Sequence, residues 1–271
     1  AEIFREKKKL ALTLGNSAKR YAKEKRDLTQ MKAKVLELLN VAFRSGDLSL
    51  AVRLQSIEPL LSVVAANVSL AHNGSGKGKA ASSAAQEHVK LVERIETFMT
   101  ESLVRSTRPA GEEEAALACE VATRVMTAIA GGSLLKEQEV GVAVLMRAAN
   151  SIWYCVRVVR SCKSSAEANE ATLKTSFNVV VAAALAAAEE VNWRILRGFV
   201  MTWATSDLSF VLPGLAINAE ALSCLIENPT GLRIFQRRQL LEMLISAIKR
   251  ASSFGMKEPA CTVLAALPAA F

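Results

Sequence analysis

Apolar residues recur at helical spacing along most of this 271-residue chain. Leu36, Leu39 and Phe43, for example, are three and four positions apart, which puts them on one face of a helix. The six prolines and thirteen glycines fall mostly between such runs, whereas a β-rich fold needs turn residues about every 8–12 positions. Apolar residues make up 51% of the chain, enough to bury a substantial core. The sequence therefore predicts an all-α protein.

One short segment occurs in two versions, "FRSGDLSLAV" at 43–52 and "WATSDLSFVL" at 203–212. In both, an apolar helical stripe precedes a short polar turn, and an aspartate, Asp47 or Asp207, is followed by a new apolar run. The two aspartates have two interpretations, a catalytic carboxylate pair or two helix N-caps. We favour caps, because an aspartate in front of a helix accepts a hydrogen bond from a free backbone N–H of the first turn. The segment thus predicts stacked helical hairpins, in an α-solenoid-like arrangement or an irregular helical bundle.

A long basic N-terminal helix is predicted from Ser17 to about Arg44, after a helical run that ends at Gly15-Asn16. Every seventh residue of this helix is apolar, and Met31 and Leu38 fill the intervening positions. Such a narrow seam suits helix–helix packing, so we predict it as a protein interface. The seam consists of Tyr21, Leu28, Val35 and Ala42.

The net charge is also concentrated in this region. Residues 1–44 carry +7 of the net charge of +8. A basic helix face can neutralise nucleic-acid phosphates without any specific fold, and a solvated lysine-rich face is the alternative. The predicted nucleic-acid contacts are Lys7, Lys8, Lys9, Lys19, Arg20, Lys23, Lys25 and Arg26.

The domain division rests on a change in composition after the first hairpin. A helix from Leu48 to about Leu70 is expected to kink or restart at Pro59. Residues 72–82 are rich in Gly, Ser and Lys, as flexible linkers are, and "GSGKGK" within them does not match the phosphate-loop pattern. We therefore predict N-terminal helices and a first hairpin at 1–71, a linker at 72–82 and a helical-repeat-like domain at 83–271.

No residue pattern marks a catalytic site, a metal site, a cofactor or a small-molecule substrate. The chain has two histidines, His72 and His88, without metal-ligand spacing. Its five cysteines lie in apolar helical contexts, which predicts buried free thiols in a reducing intracellular compartment. The longest nearly uncharged apolar run, 179–188, is half the length that a bilayer requires, so no membrane span is expected.

The C-terminal segment "LLEMLISAIKRASSFGMKEPACTVLAAL" at 240–267 resembles the repeats of α-helical organellar RNA-binding proteins of the RAP and octotricopeptide type. In those repeats a helix ends in A-x-x-x-G, and a short turn leads to Leu-x-x-Leu. The resemblance covers about the last third of the chain. It implies organellar RNA metabolism or a mitochondrial-ribosome-type assembly, and a location in the mitochondrial matrix.

These patterns lead to one expected function and one alternative. We expect a non-enzymatic structural subunit of a large assembly, a ribonucleoprotein such as a mitochondrial ribosome. Its basic N-terminal helix would contact RNA, and its hairpin faces would contact other protein subunits. The alternative is a protein-only scaffold or adaptor subunit of a multiprotein complex. An enzyme ranks last, since an active site in a chain of this size usually shows a stronger polar constellation.

Overall fold

The computed structural model describes residues 2–45, 48–73, 79–103, 109–132, 141–186, 193–227, 232–251, 253, 255–265 and 267. Within these ranges the side chains at 2–16, 18, 19, 21, 22, 25, 26, 69–73, 79–85, 102, 103 and 141 are not part of the description. The described residues form α-helices and no β-strand, so the all-α prediction is confirmed.

The first seven helices are α1 (Glu2–Arg44), α2 (Leu50–Gln55), α3 (Ile57–Asn73), α4 (Lys79–Phe98), α5 (Glu112–Ala130), α6 (Gly141–Ser161) and α7 (Ala166–Leu185). The remaining helices are α8 (Trp193–Ile195), α9 (Met201–Ser206), α10 (Leu208–Ile217), α11 (Ala219–Glu227), α12 (Ile234–Ala251) and α13 (Lys257–Ala265). A π-helical turn, Met99–Leu103, continues α4, and a second, Leu196–Val200, joins α8 to α9.

Helix α1 runs through Gly15 and Asn16, so the predicted break there is wrong. A glycine inside a helix costs about 1 kcal/mol relative to alanine, which good helix-forming neighbours on both sides can offset. The helix between Leu48 and Leu70 was expected to kink or restart at Pro59, and the chain does restart, at Ile57. Pro59 thus lies in the first turn of α3, where its missing N–H has no helical acceptor to lose.

Helices α1 and α4 lie side by side and run in the same direction. Arg94 pairs with Glu37 at 3.0 Å and Arg44 with Glu101 at 3.2 Å, and both pairs are 57 positions apart in sequence. Between them the rings of Phe43 and Phe98 meet edge to face, with centroids 5.0 Å apart. A constant sequence offset along a helix pair means a parallel alignment, so α1 packs on α4 although the two are not neighbours in sequence.

The core is one continuous apolar cluster that reaches from Leu36 in α1 to Val263 in α13. Helices α5, α6 and α7 pack on one another, and α3 packs on both α4 and α6. An aromatic group made of Phe177, Phe199, Trp203 and Phe210 lies where α7, α9 and α10 meet, with Trp203 and Phe210 centroids 5.0 Å apart. The helices therefore form an all-α bundle with a shared core.

The predicted linker at 72–82 extends too far on both sides. Helix α3 continues to Asn73 and α4 begins at Lys79, which leaves only residues 74–78, outside the described part of the chain. A buried hydrogen bond between His88 Nδ1 and Asn67 Oδ1, 3.0 Å long, joins α4 to α3. Since the core continues across both helices, residues 1–71 and 83–271 do not have separate cores.

Within the described residues, one helix segment is long and apolar enough to cross a membrane, Val142–Ser161 in α6. Helices α10 and α11 pass the same test only as a pair, and they are bent by 77° relative to each other. Most of the α6 segment is buried against other helices, as in the core helix of a bundle. The described helices thus include no clear membrane span.

Candidate functional site

The recurring segment leads into a helix in both copies, and the predicted aspartate cap is observed in the second copy. At the second copy, Asp207 is the N-cap of α10, and its Oδ1 accepts a hydrogen bond of 2.8 Å from the backbone N–H of Ser209. At the first copy, the N-cap of α2 is Ser49, whose hydroxyl accepts from the N–H of Val52 at 3.4 Å. Asp47 lies outside the described residues. The cap prediction is confirmed for Asp207.

Asp207 also belongs to a polar network that the sequence pattern did not reveal. The Arg160 guanidinium donates two hydrogen bonds of 2.9 Å to Glu170 and lies 2.7 Å from Asp207 Oδ2. It also donates to the Ser209 hydroxyl at 3.1 Å, while Lys174 pairs with Glu170 at 3.0 Å. The network joins the end of α6 to α7 and to the turn before α10. Arg160 and Ser209 are 49 positions apart in sequence, and the packing of three helices brings the members of the network together.

Within the network, Arg160 and Glu170 favour each other's ionised forms. The hydrogen bonds from Arg160, with a smaller contribution from Lys174, lower the pKa of Glu170 to about 2. The hydrogen bond to Glu170 raises the pKa of Arg160 in turn. A general base needs a pKa near the working pH and access to a substrate proton. The lowered pKa of Glu170 lies far from neutral pH and makes it a weak general base, so we interpret the network as a contribution to the stability of the fold.

The cysteines divide into two environments. Cys119, Cys155 and Cys162 are buried, whereas Cys224 and Cys261 are exposed, so the prediction of buried thiols is wrong for the last two. Burial raises the pKa of Cys155 to about 12, which makes it a poor nucleophile. Hydrogen bonds with Ser164 and Ser165 lower the pKa of Cys162. No three His, Cys, Asp or Glu side chains in the described part of the chain lie close enough together to hold a metal ion.

A shallow groove of about 560 Å³ runs between α6, α9 and α12. Its apolar wall includes Met146, Met201 and Met243. The Arg250 guanidinium at one edge donates to the carbonyl of Ala204 at 3.1 Å. The groove is open to solvent and is lined by flexible thioethers, which suit an adaptable packing surface better than a substrate site.

Leu28 and Val35 of the predicted protein-interface seam do not pack inside the molecule. The buried face of α1 is formed by Thr29, Leu36 and Phe43, one position after the predicted Leu28, Val35 and Ala42. One position is a rotation of about 100° around a helix axis. The helix thus turns Leu36 and Phe43 towards α4, and Leu28 and Val35 lie to one side of that contact.

Four large apolar side chains of the seam region lie exposed in one row. Their exposed fractions are 52% for Leu28, 61% for Met31, 50% for Val35 and 71% for Leu38. They are separated by three, four and three positions, which aligns them along one side of α1. We call this set the α1 stripe. Ala42, also in the predicted seam, is half-buried, and the side chain of Tyr21 is outside the description.

The described cations of α1 also face solvent. Arg20 and Lys23, both predicted nucleic-acid contacts, are exposed, and Arg20 lies 3.5 Å from Glu24. Lys32 and Lys34 are exposed beside the α1 stripe. The other predicted contacts have no described side chains: Lys7, Lys8, Lys9, Lys19, Lys25 and Arg26. Their role in binding nucleic acid stays a prediction.

Comparisons with protein-family models, with curated proteins and with solved structures found no match for this chain. The resemblance of residues 240–267 to organellar helical-repeat proteins therefore stays a prediction.

Proposed function

We propose that this protein is a non-enzymatic helical subunit of a larger assembly, and that α1 is the helix through which it joins the assembly. The observation that supports this function is the α1 stripe. Scattered exposed apolar residues are common on protein surfaces, but an aligned row of them is typical of a protein–protein contact.

The proposal is tested by purifying the full chain with its partners from native extract, with and without nuclease. We expect protein partners to remain after nuclease treatment and to be lost in the double variant Val35→Ser/Leu38→Ser. The matched control is Val179→Ser/Ile217→Ser, which removes two apolar side chains that are exposed on α7 and α10. Retention of every partner by the Val35/Leu38 variant contradicts the proposal.

A second candidate function is RNA binding within a ribonucleoprotein, such as a mitochondrial ribosome in the mitochondrial matrix. The observation that favours it is the concentration of +7 charge in residues 1–44, together with the exposure of Arg20, Lys23, Lys32 and Lys34. Cations on one helix face bind phosphates and release counterions, so the affinity falls steeply as salt rises. The location in mitochondria rests on the resemblance alone.

The RNA candidate is tested by measuring the affinity for RNA across a salt series. The variant replaces Lys7, Lys8, Lys9, Lys19, Arg20, Lys23, Lys25 and Arg26 with glutamine. We expect weaker binding and a shallower dependence of log K on log salt in the variant. Unchanged affinity and slope would eliminate this helix as an RNA contact.

A further inference from the structure

We infer that the α1 stripe binds an acidic amphipathic helix from a different protein. The inference rests on the proposed function, since it names the partner of the same surface. It follows from the spacing of the stripe, its length and the charges beside it.

The spacing of the stripe fits a helical partner. Leu28, Met31, Val35 and Leu38 follow the three–four pattern that packs one helix against another through interlocking side chains. The ten positions from the first to the last of them span about 15 Å at the rise of an α-helix. A partner helix that supplies apolar residues at the same spacing covers this length in about three turns.

The charges beside the stripe call for an acidic partner. Lys32 lies on the side of the stripe nearer to α4, and Lys23 and Lys34 lie on the other side. None of the three lysines forms an ion pair with a described side chain. Among the described acidic residues of this surface, only Asp27 has no ion pair either. Three lysines and one aspartate leave a net charge of +2 around an apolar row. Glutamates that flank the seam of a partner helix would pair with these lysines.

A second copy of this chain fits the surface poorly. Two α1 helices that met through the stripe would bring lysines against lysines, which disfavours the pairing. The described stripe also covers fewer than the three or four heptads that sustain a coiled coil on its own. A foreign helix avoids the charge repulsion, and α1 is already held in place by α4, so only the partner loses conformational freedom.

The stripe also fits RNA less well than it fits a protein helix. Leu28, Met31, Val35 and Leu38 are aliphatic or thioether side chains, whereas bases stack on aromatic rings. Phosphates would contact the lysines and leave the apolar row exposed to water. The proposal therefore commits to a protein helix, and RNA binding at the stripe becomes an outcome of the test.

The test measures the binding of a designed peptide to the full chain by fluorescence anisotropy. The probe is a 21-residue helical peptide with leucine at the seam positions and glutamate at the flanking positions. The comparison peptide has lysine at the same flanking positions. We expect the acidic peptide to bind about tenfold more tightly than the basic one, because it forms several surface ion pairs.

Charge reversal on the protein provides the decisive variant. We expect Lys32→Glu/Lys34→Glu to abolish or reverse the preference between the two peptides. The matched control, Lys163→Glu/Lys257→Glu, changes two lysines that are exposed elsewhere and should keep the preference. Leu38→Ser should weaken the binding of the acidic peptide.

Several results would overturn the inference. They are equal binding of both peptides, binding of neither, competition of a single-stranded RNA with the acidic peptide, or self-association of the chain that Leu38→Ser abolishes. If the acidic peptide does not bind but native partners still require Val35 and Leu38, this inference is wrong and the proposed function stands. If native partners bind equally well without Val35 and Leu38, both this inference and the proposed function are wrong.

Discussion

Gly198 lies where the π-helical turn Leu196–Val200 approaches α6 closely. A Cβ atom at this position would lie 2.8 Å from Leu145 Cβ and 2.9 Å from the carbonyl oxygen of Val142, both in α6. A backbone oxygen in a packed helix moves only at a cost. We therefore expect Gly198→Ala to lower the free energy of unfolding by about 1–3 kcal/mol, although alanine is the better helix former. Urea denaturation followed by circular dichroism measures the change.

The control for this substitution is Gly111→Ser. A Cβ at Gly111, the N-cap of α5, meets no atom within 4 Å, and serine is a good N-cap residue. The free energy of unfolding should stay the same or rise slightly. An equal loss in the two variants would show that the close approach of Gly198 to α6 is not the cause.

Tyr154 has a buried hydroxyl that finds no hydrogen-bond partner among the described residues. A buried polar group without a partner costs about 1–3 kcal/mol. We expect Tyr154→Phe to raise the free energy of unfolding by about 1 kcal/mol and the Tm by about 2–4 °C. A drop in Tm would mean that the hydroxyl is hydrogen-bonded in solution.

The same residue makes stability depend on pH in the alkaline range. Burial raises the pKa of Tyr154 from about 10 to about 12. The unfolded chain therefore loses this proton at lower pH than the folded chain, and stability is lost as the pH rises from 10 to 12. The advantage of Tyr154→Phe over the wild type should grow across this interval. Unfolding free energies measured at several pH values check the trend, and a constant difference would contradict it.

At the scale of the element, the turn before α10 is held by charges as well as by its cap. Glu170 supports this turn through Arg160, and its lowered pKa contributes stability that is present above pH 4.5 and lost as the pH falls towards 2. We expect Glu170→Gln to cost about 1–3 kcal/mol at pH 7. The difference from the wild type should shrink between pH 4.5 and 2, as measured by denaturation in buffered urea.

Glu242→Gln is the control for this prediction. Glu242 pairs with Arg238 at 2.8 Å, but both side chains are exposed, and such surface pairs contribute little. No measurable change in stability is expected at either pH. If the stability of Glu242→Gln depends on pH to the same extent, the Arg160 network does not explain the pH dependence of Glu170→Gln.

Helix α1 offers two leucines, two positions apart, in opposite environments. Leu36 is 7% exposed and belongs to the core, whereas Leu38 is 71% exposed. Leu36→Ala should lower the free energy of unfolding by about 2–3 kcal/mol, and Leu38→Ala by less than about 0.5 kcal/mol. Denaturation of the two variants in parallel tests the orientation of α1. A large loss of unfolding free energy in Leu38→Ala would mean that Leu38 is buried. The described orientation of α1 would then be wrong, and the α1 stripe would not be exposed.

At the scale of the whole molecule, the shared core predicts that the chain unfolds as one unit. Trp153, Trp193 and Trp203 report on the packing of α6, α8 and α9, while circular dichroism reports on all helices. We expect the two signals to give coincident denaturation curves. The opposite result is a first unfolding transition that circular dichroism detects and tryptophan fluorescence does not. It would support the predicted division into separate units at residues 1–71 and 83–271.

Local patterns were sufficient to predict most of the helices. The helical spacing of apolar residues, the cap at Asp207 and the restart of the helix near Pro59 are effects of neighbours in sequence, and the structure contains all three. The break at Gly15-Asn16 and the wide linker at 72–82 were wrong, because a breaker residue or a polar composition only weakens a helix. Neighbouring helical residues can outweigh such weak local effects.

The sequence alone determined that this protein is all-α, that α1 is basic and that it carries an apolar seam, because composition and spacing are properties of the chain itself. Only the tertiary structure decided which face of α1 is buried against α4. The seam and the buried face differ by one position, and a difference of about 100° is fixed by the packing of Leu36 and Phe43 on α4. Tertiary structure likewise brought Arg160, Glu170 and Asp207 together, since charges on three separate helices meet only after those helices have packed.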